Sequence, residues 1–345
     1  MGSVAPPTGN DSAYTPAQVA QYLARVGLPE SFHPSARPVL DLAYLTRLFV
    51  RQITTFPYEN LALHYSPQHA VDLDPQALFD KLVAAPRGRG GYCMEVNLLF
   101  HHVLRALGFA AYTAGVKIRR REGGVPAGPY FGWVHLVNIV TLPDPDRNPD
   151  AGGGRDSFVR YALDAGFGGD GPTVPMPLVD GLVHRNGIGA QEIRLARELI
   201  PEQRWRGEDA PRMWVYQYRN GAEQPWNRTY AFYEVEFTEA DFRVVNWYAS
   251  QHPDSPQRTM VLAILFLRGR REGDNGKGPQ ECVTGKLMMV DGEVKRNVTG
   301  RTELVKVCKT EQDRVEALRE YFGIELTLEE RESVRGRVVE LKGSP

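Results

Sequence analysis

At Gly108 the hydrophobic period of the chain changes, and that change restricts the fold more than any other feature. Before it, Val96, Leu99, Phe100, Val103 and Leu107 recur at the spacing of one helix face, and Gly108 occupies the natural C′ position. After it come AAYTAGVKI, HLVNIVTL, SFVRYALDAGF and RMWVYQYR, short β-branched or aromatic runs separated by Gly, Pro and Asp. Such runs suit an antiparallel sheet or a small barrel. A helical part therefore precedes a β part.

Two further helices are expected ahead of Cys93. Thr15-Pro16-Ala17-Gln18 has the form of a capping box with proline at N1, and Val19, Tyr22, Leu23 and Val26 then share a face. This predicts a helix from about Ala17 to Val26, stopped by Gly27. A second pattern runs from Val39 to Ile53 and ends before Pro57. The last third mixes elements: TYAFYEVEF, MVLAILFL and GKLMMVDGEV read as strands, the last with an Asp291-Gly292 hairpin signal, and Glu303 to Val307 add another. Thr310 reads as the N-cap of a helix to about Phe322, and Thr327 to Glu330 as a second capping box. PDPDRNPDAGGGRD, residues 143–156, is too rich in Pro, Gly and charge to bury and reads as a surface insertion. With 345 residues the chain exceeds the ~250–300 at which single cores stop growing, so two or three domains are expected.

A formal net charge of −1 gives no global pull toward nucleic acid or a membrane, so an anionic ligand needs a local site. The first residues hold neither a basic region nor an apolar one, and no later apolar run approaches the ~18 residues of a membrane span. A cytoplasmic protein is expected, in which the glycosylation triplets at Asn10, Asn227 and Asn297 are idle. The three cysteines, Cys93, Cys282 and Cys308, are far apart and form neither a disulfide framework nor a CxxC pattern. His101 and His102 adjoin one another but point roughly 100° apart on a helix, so no metal site is expected.

The stretch RGRGGYCMEVN leads a flexible, cationic entry straight into a cysteine at a helix start. Unsatisfied N–H groups and the macrodipole favour a thiolate there. A small buried thiol after a glycine turn is the other reading. A cysteine nucleophile needs a base, and the base needs an orienting carboxylate. His135, in GWVHLVNIV, and Asp164, in RYALDAGFGG, stand at strand ends from which both side chains can converge on Cys93. A core histidine and a turn aspartate would leave the same local pattern, because such triads are recognised by geometry.

RGGYCMEVN, GWVHLVNI and LDAGFGG, in that order, resemble the three catalytic blocks of the arylamine N-acetyltransferases, in their eukaryotic, fungal form. Phe56 to Leu61 resembles the family's Pro-Phe-Glu-Asn-Leu block. YAFYEVEFTEADFRVVNWYAS and KTEQDRVEALREYFGIEL resemble its third-domain segment and C-terminal helix. The resemblance implies an α+β multidomain fold: an N-terminal helical bundle over 1–108, a central β-barrel over 109–220 and a C-terminal α/β lid over 221–345, with a papain-like Cys-His-Asp arrangement. It also implies ping-pong transfer of an acyl group from acetyl-CoA or another acyl-CoA to an arylamine or hydrazine, with no metal. Cys93 is then the nucleophile, His135 its base and Asp164 the orienter.

By the same resemblance Gly132 and Thr310 contact coenzyme A, at a turn open to backbone approach and at a helix N-terminus suited to phosphate. An ordinary N-cap is the other reading of Thr310. Tyr58 and Phe167 match aromatic positions lining the acceptor pocket, or else pack in the core. Arg89 and Glu59 lie in family blocks and form either a buried structural pair or two exposed charges. The chain departs from the family in the 29 positions from His135 to Asp164, longer than usual, and in Gly169 and Gly171, where some relatives carry larger side chains. Donor and acceptor preference stay open. The rival readings are a papain-like cysteine hydrolase or transglutaminase, and a catalytically silent binding protein.

Overall fold

The computed structural model describes residues 12–144, 158–272 and 278–343. The insertion expected at 143–156 lies outside the described residues from 145 on, as does the Asn10 triplet. Elements are numbered along the chain.

The helical part consists of α1 (Pro16–Arg25), α2 (Leu42–Thr55), two short helices, α3 (Ala62–Tyr65) and α4 (Pro75–Phe79), and α5 (Cys93–Ala106). The Thr15 capping box forms: Gln18 N donates to Thr15 Oγ1 at 3.3 Å and Thr15 N to Gln18 Oε1 at 3.0 Å. Gly27 and Gly108, which end α1 and α5, take φ of +66° and +96°, where an L-residue is strained. The second helix starts at Leu42 instead of Val39, because Asp41 caps it by accepting from Tyr44 N at 2.8 Å. α5 is buried on nearly every side. That is why its sequence is apolar all round, and why its few polar residues must find partners.

Of the two forms expected for the β part, the antiparallel sheet is the one found. It is an eight-stranded antiparallel sheet in the order β5 (Met176–Pro177), β4 (Phe158–Leu163), β3 (Tyr130–Pro143), β2 (Ala110–Arg119), β9 (Asn227–Glu236), β8 (Met213–Arg219), β7 (Glu192–Glu198) and β6 (Val183–Arg185). Its edge strands do not pair with each other, so the sheet is curled but open and not the expected β-barrel. The strands at the edges have two and three residues, too short for a closing ladder. β9 lies beyond residue 220, yet it pairs with β2 on one side and β8 on the other.

A second sheet runs β1 (Tyr58–Glu59), β10 (Leu262–Arg271), β11 (Gln280–Val290), β12 (Glu293–Val298) and β13 (Arg301–Val307). The hairpin between β11 and β12 turns on Asp291, with φ +53°. DFRVVNWYAS lies in a helix, α6 (Glu239–Gln251). The chain ends on α7 (Glu311–Phe322) and α8 (Leu328–Ser333), capped by Thr310 and Thr327 as expected. Among the described residues no helix is long and apolar enough to cross a membrane, and no group of His, Cys, Asp or Glu is placed to hold a metal ion.

β1 positions the site. It pairs with Ile264 and Ala263 of β10, while Glu59 N donates to Gly91 O at 3.0 Å and Gly91 N to Pro57 O at 3.2 Å. A Cβ at Gly90 would lie 1.8 Å from Pro57 O, so only glycine lets the two segments approach. The residues just before Cys93 are thus fixed to the second sheet.

Candidate active site

Cys93 is the first residue of α5, after Tyr92, whose N–H is taken by the Glu95 carboxylate at 3.0 Å. Its sulfur lies 3.9 Å from the Val134 carbonyl, on the strand that carries His135. His135 is fully buried, and its Nε2 is 2.7 Å from Asp164 Oδ2. The other ring nitrogen, Nδ1, is buried with no hydrogen-bond partner. Burial opposes charge on this ring, but the Asp164 carboxylate, and after it Cys93, outweigh burial and carry the His135 pKa from 6.5 up to about 10. The structure therefore brings Cys93, His135 and Asp164 together from α5, β3 and the end of β4.

A further residue, outside the three catalytic candidates, ties these elements together. Asn97, one turn beyond Cys93 and fully buried, donates from Nδ2 to Asp164 Oδ1 at 3.2 Å and to Leu136 O at 3.3 Å. Its Oδ1 accepts from Ala165 N at 2.8 Å, and its backbone carbonyl accepts from Asn138 Nδ2 at 3.1 Å. The signal was present: an amide four positions after the cysteine, on the helix face that the cysteine shares.

Arg89 and Glu59 form the buried pair, with Arg89 Nε 2.9 Å from Glu59 Oε1. Two partners were not foreseen: Glu330 of α8, at 2.5 Å from Arg89, and Lys81, at 3.8 Å from Glu59 and 2.6 Å from Glu95. Burial alone would raise the Glu59 pKa, yet Arg89 and Lys81 reverse this and bring it from 4.5 down to about 2.

Phe167 packs edge-on against the His135 ring, with centroids 5.6 Å apart. Tyr58 lies beside the same loop: a Cβ at Gly168 would be 3.9 Å from its ring. Its hydroxyl accepts from Gln257 Nε2 at 2.7 Å. Gly132, three residues before His135, is exposed, and a Cβ there would meet nothing within 4 Å. Thr310 is not brought to this group. Its hydroxyl accepts from Asp313 N at 3.1 Å, and it is bridged to Lys342 past the end of β13.

A family model described as N-acetyltransferase matches residues 41–331. The chain belongs to the arylamine N-acetyltransferase family. It is 31% identical to an N-malonyltransferase of Fusarium pseudograminearum, over 93% of this chain and 92% of that one. Human arylamine N-acetyltransferase 1 is 30% identical over 69% of this chain and 73% of its own. Among solved structures, the arylamine N-acetyltransferase of Mycobacterium abscessus shares the fold, with a TM-score of 0.70 at 23% identity, covering 97% of this chain and 99% of that one. The Mycobacterium marinum enzyme in complex with CoA matches with a TM-score of 0.67 at 25% identity over 94% and 99%. As a member of this family the chain is an acyl-CoA-dependent acyltransferase.

Proposed function

We propose that the chain transfers an acetyl or malonyl group from acyl-coenzyme A to an arylamine or hydrazine nitrogen, by a ping-pong mechanism through an acyl-Cys93 intermediate. The observation that carries this reading is the His135–Asp164 bond of 2.7 Å, made by Nε2 while Nδ1 keeps no hydrogen-bond partner; in this reading Nδ1 serves Cys93. Asp164 holds the ring in one tautomer and favours the imidazolium, so the Cys93 proton resides on His135 and the sulfur attacks as thiolate. The tetrahedral oxyanion is met by N–H groups at the start of α5. Collapse breaks the carbon–sulfur bond to coenzyme A, whose sulfur takes the proton from His135. The amine then attacks the acyl-cysteine, gives its proton to His135, and releases Cys93.

In this reading Tyr58 and Phe167 line the acceptor pocket and Gly132 admits coenzyme A. Thr310 is the weaker contact, since an internal N-cap already occupies its hydroxyl. The three-part division at 108 and 220 belongs to the same proposal, with β9 lent to the central sheet.

The test is release of free thiol from acetyl-CoA or malonyl-CoA with and without an arylamine. Release that depends on the amine is expected. Cleavage of peptide amides without use of either donor would favour the papain-like hydrolase instead.

A further inference from the structure

The face of the second sheet that looks on the active site carries a cation. Opposed residues of an antiparallel ladder put their side chains on one face. The registers Tyr58↔Ile264, Ile264↔Met288 and Phe266↔Lys286 therefore place these five together. That face meets the loop after Asp164: a Cβ at Gly168 would lie 3.0 Å from Ile264 Cδ1, and one at Gly169 would lie 3.3 Å from Lys286 Nζ. The same loop begins against the nucleophile, since a Cβ at Gly166 would lie 2.8 Å from Cys93 Cα. Gly166 to Gly169 span at most about 11 Å. The loop that touches Cys93 at Gly166 thus touches Lys286 at Gly169, three residues on.

Its charge is only partly used. Lys286 Nζ donates to Gly169 O and to Asp170 Oδ1, the latter at 3.2 Å. The other Asp170 oxygen is held by Arg121 at 2.5 Å. One carboxylate is shared by two cations, which leaves a surplus of one positive charge, and two of the three ammonium protons are engaged. The Lys286 side chain is 8% exposed. A group that meets so enclosed an ammonium has to enter the fold beside this loop, as the end of an acyl chain on Cys93 would. An acetyl group brings nothing to pair with this charge. A terminal carboxylate does, by a charge-assisted hydrogen bond.

We infer that Lys286 selects acyl donors whose acyl chain ends in a carboxylate. This rests on the acyl-transfer reading and adds the chemical class of the donor and the residue that recognises it. The gap left by glycine at 169 is what lets the ammonium group reach the loop.

The test is the kcat/KM for single-donor acylation of Cys93, with malonyl-CoA and acetyl-CoA as probes. Wild type is expected to favour malonyl-CoA by about tenfold or more, the worth of one charge-assisted hydrogen bond. Lys286→Gln is expected to lose that preference, and Lys286→Arg, which keeps the charge, to retain it. Equal use of both donors by wild type overturns the inference. So does a fall of both donors together in Lys286→Gln with an unchanged ratio, which would mean that Lys286 only holds the Asp170 loop. Should neither donor acylate Cys93 in wild type, the acyl-transfer reading itself fails, and the inference with it.

Discussion

Replacing Asn97 by alanine removes the side-chain hydrogen bonds that tie α5 to Asp164, Ala165 and the Leu136 carbonyl. The Ala165 N–H loses its acceptor at 2.8 Å, and Asp164 Oδ1 keeps only the Gly166 N–H at 3.0 Å. Each buried polar group left short of a partner costs about 1–3 kcal/mol, so two such groups put the loss at roughly 2–6 kcal/mol. That is a large share of a typical stability of about 5–15 kcal/mol, and the protein stays folded if it begins in the upper part of that range. The stability assay is the urea midpoint at unchanged slope. The effect on chemistry is separate. A carboxylate that shifts by an ångström moves the imidazole with it, which is worth about 10²-fold in rate. Single-turnover acylation of Asn97→Ala by acyl-CoA is therefore expected to slow by about that factor in the folded variant. Asn97→Asp keeps the size, but it replaces a donor to Asp164 with a second negative charge, and it is expected to be at least as slow. An Asn97→Ala enzyme that acylates within a factor of two of wild type would refute the positioning role.

The His135 pKa is raised from 6.5 to about 10 in the folded protein, so the pair with Asp164 adds stability that is complete below pH ~6.5 and lost as pH rises through ~10. The stability difference between wild type and His135→Gln, followed by urea denaturation, is expected to shrink across that window and not below it. Arg89→Ala leaves Glu59 buried without its main counter-charge and is expected to cost about 3–5 kcal/mol on the same assay. Gly166→Ala places a methyl 2.8 Å from both Cys93 Cα and Asn97 Nδ2, so acylation is expected to fall even where the variant melts close to wild type.

What the sequence revealed is what is local. The capping boxes at Thr15, Thr310 and Thr327 each involve residues three apart, and all three form. The switch from helical to strand period at Gly108 is likewise a property of neighbours. Pairing is not local. That β9 inserts between β2 and β8 depends on residues a hundred positions apart, and no pattern within NRTYAFYEVE marks it. The open edges of the central sheet were hidden for the same reason, because two- and three-residue strands leave no period to read. In the site, Cys93, His135 and Asp164 stood out through blocks with recognisable order. Asn97 lay inside one of those blocks and was passed over, since its role exists only once α5 meets the loop after β4. Glu330 and Lys286 were invisible for a further reason: each acts on a segment that folding brings to it from more than a hundred positions away.

Acyl transfer by this chain requires that Cys93 carry the acyl group. Intact and peptide mass spectrometry after incubation with acyl-CoA, without an amine, tests it directly. One acyl group is expected, on the peptide containing Cys93, and none in Cys93→Ala. An acyl group found on Cys282 or Cys308, or retained by Cys93→Ala, would contradict it.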